Sequence, residues 1–290
     1  MPQTPRSAPA SAWSRLTTQT KPVLSYRDNA GEGPPVVFLH GVGSSAATWD
    51  QLFARLPARY RLIAADLRGH GRSQPVAGPA TLDDFVGDHF RLLDELELAS
   101  VHVVGFSLGA LIGEAIALAR PELTSSLTLL NCIGGRTETE RKRAAERLEV
   151  IRTTPPARVA AASAGRWFTG QFAASSPDLV AAEIAIVSSV DSPSYAAAYE
   201  VLADNDLISA VSAISCPVLI ATGADDVGST PRMSSDIHAR IGGSRLQIIQ
   251  GVKHYAHIEA AATVASLICG FLDDVQRAPS KAGPLSKEEG

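Results

Sequence analysis

Residues 103–111 read VVGFSLGAL, and their centre, Gly105-Phe106-Ser107-Leu108-Gly109, has the G-x-S-x-G form of a serine presented on a strand-to-helix turn. Such a turn strains the serine backbone, so the positions two residues to either side must lack bulk, and both are glycine. The hydroxyl then stands above the sheet, with the partial positive charge of a helix N-terminus beneath it. A serine becomes a strong nucleophile only when a base takes its proton and a third group orients the base. Three histidines follow Ser107 in the chain: His238, His254 and His257. His238 falls inside an amphipathic pattern, as a surface or packing residue would. His254 follows Gly251-Val252-Lys253 in a loop between a strand-like run and a helical one, the place a base requires. His257, three residues on, is its rival or a support for the same loop.

For the acid, Asp225 and Asp226 follow the strand-like PVLIATG and precede Thr230-Pro231, which open a helix. A carboxylate there can reach a histidine beyond the following strand. Aspartates also suit turns and helix starts, and adjacency leaves the two undistinguished by pattern alone. The remaining need is a pair of donors for a developing oxyanion. The Leu108 N–H, directly after the serine, is one. The other should come from His40-Gly41-Val42-Gly43, a glycine-rich turn after the apolar run 36–39, with the Val42 N–H as donor.

The same turn supports a competing reading. Gly41-Val42-Gly43-Ser44-Ser45-Ala46 matches G-x-G-x-x-[G/A] after a strand and before a helix, and Asp66 ends the next strand. That is the pattern of a dinucleotide-binding oxidoreductase. It leaves the serine, aspartate and histidine set as coincidence, and Asp66 runs into a constrained loop, Leu67-Arg68-Gly69-His70-Gly71-Arg72-Ser73. Outside enzymes, a ligand receptor on the same scaffold would bind tightly without turnover.

These groups need a frame. Continuous apolar runs at 36–39, 62–65, 101–104, 127–130, 218–221 and 246–249 read as strands buried on both faces, as in a parallel sheet. Helical patterns at 46–56, 81–97, 108–119, 231–241 and 260–271 alternate with them. The run at 81–97 opens on Thr81 with Asp83 and Asp84 in its first turn. The alternation predicts an α/β fold with a mostly parallel central sheet flanked by helices. It breaks over 132–215, an Ala-rich stretch without a convincing strand. That segment is expected to be an inserted helical cap over the carboxyl ends of the strands, between core segments 22–131 and 216–276.

Composition agrees with an ordinary globular enzyme. The chain has 290 residues, 45% of them hydrophobic and 19% charged, which suits a folded core and not a disordered chain. The net charge of -4 gives no reason to expect nucleic acid or anionic lipid as a partner. No secretory h-region precedes the core, so a cytoplasmic location is expected. Residues 1–21 and 277–290 are expected to be a disordered leader and tail. Cys132, Cys216 and Cys269 are too few and too scattered for a disulfide framework or a zinc site. The pattern leaves a homo-oligomer open.

Taken together, FLHGVGSS, AADLRGHGRS, VVGFSLGA, VLIATGADDVGSTP and IIQGVKHYAHIE resemble the α/β-hydrolase fold superfamily, in that family's order, over roughly residues 22–275. The resemblance implies Ser107 as nucleophile, His254 as base and Asp226, through the family's G-x-x-D, as acid. Val252-Lys253 and Ala110 depart from the usual small residues. In the cap, SAGRWFTGQF and YEVLADNDL resemble 3-oxoadipate enol-lactonases, which implies Arg166 and Trp167 as substrate-binding residues; His40, at the oxyanion turn, is expected to bind substrate as well. Arg166 would grip a carboxylate and Trp167 would cover a small ring. The competing reading packs Trp167 into the cap core and turns Arg166 to solvent. A small ester or lactone is the implied substrate, with no metal or organic cofactor. A C–C bond hydrolase and a general carboxylesterase or perhydrolase are the alternatives.

Overall fold

A computed structural model describes residues 13–278. Eight strands form one sheet: β1 (Ser14–Thr17), β2 (Ser25–Asp28), β3 (Pro35–Leu39), β4 (Arg61–Ala65), β5 (Val101–Phe106), β6 (Thr124–Leu130), β7 (Val218–Gly223) and β8 (Arg245–Ile249). Their order is β1-β2-β4-β3-β5-β6-β7-β8. From β4 through β3 to β8 every pairing is parallel; β2 joins β4, and β1 joins β2, antiparallel. Successive side chains in the central strands enter opposite cores. Val37, Leu39 and Val103 face one layer, and Val36, Phe38 and Val104 the other. Each such fully buried side chain contributes about 1.5–3 kcal/mol. All six residues of β5 and of β7 are buried, which explains why both are mostly apolar rather than alternating; the one histidine of β5, His102, bonds Ser126 inside the fold. The edge strand β8 alternates exposure instead.

On one face lie α2 (Leu82–Glu95), α3 (Leu108–Ala119) and α9 (Pro231–His238); on the other lie α1 (Asp50–Phe53), α10 (Ala256–Glu259) and α11 (Ala261–Arg277). α2 starts at a complete capping box between Thr81 and Asp84. Between β6 and β7 the chain leaves the sheet and forms α4 (Glu138–Thr153), α5 (Pro156–Trp167), α6 (Gly170–Ser175), α7 (Pro177–Ser188) and α8 (Ser192–Asp204). α4 packs on α8 and α5 on α7, and Ile151, Val159, Ala160, Val187, Val190 and Tyr195 form a small core of their own.

Several boundaries differ from the sequence expectation. The expected leader, 1–21, is strand in part: β1 pairs with β2, and Trp13 stacks on Phe53 at 4.5 Å. The rest of it, 1–12, lies outside the described residues, as does the tail from 279. Four-residue β1 and β2 are too short and too polar for an apolar-run criterion. The helix expected at 46–56 is a 3₁₀ turn over Ala46–Trp49 followed by one α-helical turn. α9 stops at His238, and α11 runs on to Arg277. Among the described residues no helix is long and apolar enough to cross a membrane.

Candidate active site

Ser107 sits between β5 and α3 with φ 54° and ψ -113°, left-handed backbone that a non-glycine residue adopts only when its surroundings force it. The forcing contacts are visible. A Cβ at Gly105 would lie 2.3 Å from the Gly109 carbonyl oxygen, and one at Gly109 would lie 2.0 Å from that of Leu39. Only glycine lets the strand, the turn and the helix approach so closely. The Ser107 N–H donates to the Leu130 carbonyl at 3.0 Å, which ties the turn to β6.

Asp226 follows β7 and is 3% exposed, whereas Asp225 points to solvent. Its carboxylate takes four hydrogen bonds, all from donors. Oδ2 accepts from Asn131 Nδ2 at 2.8 Å and from His254 Nδ1 at 2.7 Å; Oδ1 accepts from the Gly228 and Ser229 amides at 2.8 and 3.0 Å. Burial pushes this carboxyl up, but the His254 charge and the hydrogen bonds outweigh it and hold the group below its ordinary value. Asp226 therefore fixes His254 with Nδ1 protonated and leaves Nε2 free to accept a proton. His254 and Ser107 line one cavity of about 570 Å³. No hydrogen bond of 3.5 Å or less joins Oγ to the ring among the described residues; such pairs commonly tighten when substrate binds.

His257 is excluded from that role. It is fully buried, 4.3 Å from the Phe106 ring, with Nε2 2.9 Å from Thr48 Oγ1, and burial drives its pKa down to about 3. His238, the last residue of α9, bonds Ser244 and does not line the cavity. Glu259 accepts from the Lys253 and Thr169 amides, both at 3.1 Å, and Lys253 Nζ donates to the Gly165 carbonyl at 2.6 Å. The His254 loop is thereby strapped to the helical insertion.

Val42 lines the same cavity as Ser107, on a turn closed by the Ser44 N–H to the Gly41 carbonyl at 3.2 Å. Leu108 is the first residue of α3, so its N–H has no acceptor within the helix; its side chain is buried in the core. His40 is a correction. It is fully buried and does not line the cavity, because both ring nitrogens are engaged by backbone: Nδ1 with the Gly41 carbonyl at 2.8 Å and Nε2 with the Leu67 N–H at 2.9 Å. Asp66 is likewise occupied, accepting from the Ala46 amide at 2.7 Å and the Arg72 amide at 3.0 Å, and Tyr195 from the insertion closes over Gly43. The acid that a dinucleotide ribose would need is therefore already engaged by backbone.

Arg166 and Trp167, at the end of α5, both line the cavity; Trp167 also packs on Tyr255 at 5.4 Å. Sequence reasoning missed two further residues. Asn131 follows β6 directly, a strand-end position that flags it only once the sheet is known. Arg147, on α4, lines the cavity and donates to the buried Ser163 hydroxyl, which itself donates to the Val159 carbonyl at 2.6 Å. Among the described residues neither Arg147 nor Arg166 has a carboxylate within ion-pair distance, while Glu140 on the same wall is paired with Arg232.

The chain is similar to known proteins along most of its length. The profile of a family described as "Alpha/beta hydrolase family" matches residues 36–267. The (E)-2-((N-methylformamido)methylene)succinate hydrolase of Acinetobacter baylyi is 30% identical over 253 residues, 84% of this chain and 92% of that protein. The 3-oxoadipate enol-lactonase 2 of the same organism is 29% identical, covering 84% of this chain and 90% of its own length. Among solved structures, the enol-lactonase from Burkholderia xenovorans superposes with a TM-score of 0.83 at 26% identity, covering 89% of this chain and all of that one.

Proposed function

The chain belongs to the alpha/beta hydrolase family, and from that premise we propose that it is a serine hydrolase that opens a small carboxylate-bearing ester or enol-lactone through an acyl-enzyme. The observation that carries the reading is the pairing of buried Asp226 with half-buried His254, 2.7 Å apart, lining one cavity with a left-handed Ser107. Ser107 Oγ attacks the carbonyl as His254 Nε2 takes its proton, and Asp226 holds the imidazolium that results. The Val42 and Leu108 amides receive the charge that develops on the carbonyl oxygen. His254 then returns the proton to the leaving oxygen. A water molecule, deprotonated by the same ring, releases the acid and restores Ser107.

The insertion α4–α8 is the cap of this site, and among its cavity-lining guanidiniums Arg143, Arg147 and Arg166 have no carboxylate within ion-pair distance among the described residues; Arg147 and Arg166 set the substrate class. Arg147 and Arg166 approach one wall from two helices, each able to hold a carboxylate through parallel hydrogen bonds. Trp167 offers its face to a small ring. Both curated relatives described above carry the names of enzymes acting on acidic substrates, a succinate derivative and an oxoadipate lactone, which supports the same class here.

The test is a panel run on wild type, Arg147→Ala and Arg166→Ala: a carboxylate-bearing enol-lactone, its methyl ester, a succinate enamide, p-nitrophenyl esters of graded length and a vinylogous diketone. The expected result is preference for the acidic lactone, with kcat/KM on it falling about 10²-fold in each variant, as for loss of a charged hydrogen bond. Rates on p-nitrophenyl acetate should move less than threefold. Equal losses on neutral and acidic substrates would refute the carboxylate grip. Faster turnover of the diketone would favour a C–C bond hydrolase.

A further inference from the structure

The oxyanion turn and the loop after β4 are sewn together by two histidines that reach in opposite directions. His40, at the start of the turn after β3, accepts the Leu67 N–H at Nε2, 2.9 Å away on the loop after β4. His70, on that second loop, accepts the Gly43 N–H at Nε2, 2.9 Å away on the first. Each ring is anchored on its own side through Nδ1, His40 to the Gly41 carbonyl at 2.8 Å and His70 to the Arg68 carbonyl at 2.9 Å. The rings lie 5.3 Å apart, and both are essentially inaccessible to solvent.

The partners dictate the protonation. A carbonyl can only accept, so each Nδ1 carries the hydrogen; an amide N–H can only donate, so each Nε2 presents a lone pair. Both rings must be neutral and in the same tautomer. Burial pulls both below their ordinary value, with the neighbouring imidazole adding to the effect at His40, while Asp66 and Asp191 oppose it at His70. Protonating His70 would set an N–H against the Gly43 N–H.

We propose that His70, with His40 as its counterpart, is a positioning residue for the oxyanion: its Nε2 lone pair holds the Gly43 amide and so aims the adjacent Val42 N–H at the reacting carbonyl. The proposal rests on the reading that Val42 is an oxyanion donor. Gly43 stands at φ +76°, where the chain must turn sharply, and Tyr195 is packed against it from the cap side. The Gly43–His70 bond is the contact from the sheet side that fixes the next peptide. A donor aimed in advance is worth far more than one that must be reoriented during the reaction.

The experiment separates the two ring nitrogens. His70→Gln places an amide oxygen near the Nε2 position and restores an acceptor for Gly43. His70→Asn keeps a donor near Nδ1 but loses the acceptor, and His70→Phe loses both. kcat and KM for p-nitrophenyl butyrate, the affinity of phenylboronic acid as a tetrahedral mimic, and Tm are measured for all three, with Ser107→Ala as reference. The expected result is a kcat loss of about 30-fold in Asn and Phe with KM within twofold, a parallel loss of boronate affinity, and recovery to within threefold of wild type in Gln. Near-wild-type kcat in Asn and Phe beside an inactive Ser107→Ala overturns the positioning role and leaves the serine reading intact. A Gln variant as poor as Asn overturns it as well. An active Ser107→Ala overturns the hydrolase mechanism beneath it.

Discussion

Replacing Asp226 by Asn keeps shape and removes one acceptor. All four groups around the carboxylate are donors: His254 Nδ1 and Asn131 Nδ2 at Oδ2, and the Gly228 and Ser229 amides at Oδ1. An asparagine has one oxygen, so whichever way it is oriented its NH₂ faces two donors. With the NH₂ toward Gly228 and Ser229, two backbone amides lose their acceptor in a buried site. With the NH₂ toward His254, the ring must accept at Nδ1, which places its proton on Nε2 and removes the base. Two lost charge-assisted hydrogen bonds cost roughly 3–6 kcal/mol, part of it recovered by relaxation. The wrong tautomer costs about 10⁴ in kcat in a Ser-His-Asp triad such as the one proposed here. Asp225→Asn, at an exposed carboxylate, should change stability by less than about 0.5 kcal/mol and kcat by less than twofold. The assay is steady-state hydrolysis of p-nitrophenyl acetate with thermal unfolding on the same samples. A folded Asp226→Asn enzyme retaining more than a tenth of wild-type kcat, or an Asp225→Asn variant that falls with it, would refute the assignment.

Gly109→Ala puts a Cβ 2.0 Å from the Leu39 carbonyl oxygen, a backbone atom that cannot swing away. The turn must open, and kcat should fall by at least about 10²-fold with a Tm loss of several degrees in a thermal melt; unchanged activity would mean that the turn geometry is irrelevant. Burial pushes the Glu183 carboxyl up to about 8, against an ordinary 4.5, despite the Thr48 hydrogen bond that opposes the shift. The unfolded chain releases that proton first as pH rises, so this contribution to stability is full below about pH 4.5 and lost progressively toward pH 8, at most roughly 5 kcal/mol. Glu183→Gln should therefore flatten the decline in urea-unfolding free energy between pH 5 and 8; curves that stay parallel to wild type would exclude a buried proton at this site.

The core of the candidate site was legible in outline because its constraints are local. Gly105 and Gly109 announce the turn, and the order of strand ends places a serine, an aspartate and a histidine on one edge. Residue type and position alone left Asp225 and Asp226 undistinguished, and only the family resemblance pointed to Asp226; one position of difference decides burial, and the sheet turns Asp226 inward and Asp225 to solvent. His40 was misplaced for a related reason. Its proximity in sequence to the oxyanion turn is real, but its ring points back into the protein and spends both nitrogens on backbone. Arg147 and Asn131 carry no local signature, since their importance comes from contacts with residues 16 and 95 positions away. β1 and β2 escaped because short polar strands are stabilised by pairing rather than by apolar content.

The central claim, that Ser107 forms a covalent acyl-enzyme, is tested most directly by active-site labelling. The protein is treated with a fluorophosphonate and with p-nitrophenyl acetate under rapid quench, and intact mass and peptide maps are read for wild type and Ser107→Ala. The account predicts one phosphonyl group per chain and a transient acetyl group, both on the peptide containing Ser107 and both absent from the variant. Stoichiometric labelling of another residue, or turnover with Ser107→Ala at the wild-type rate, would contradict it.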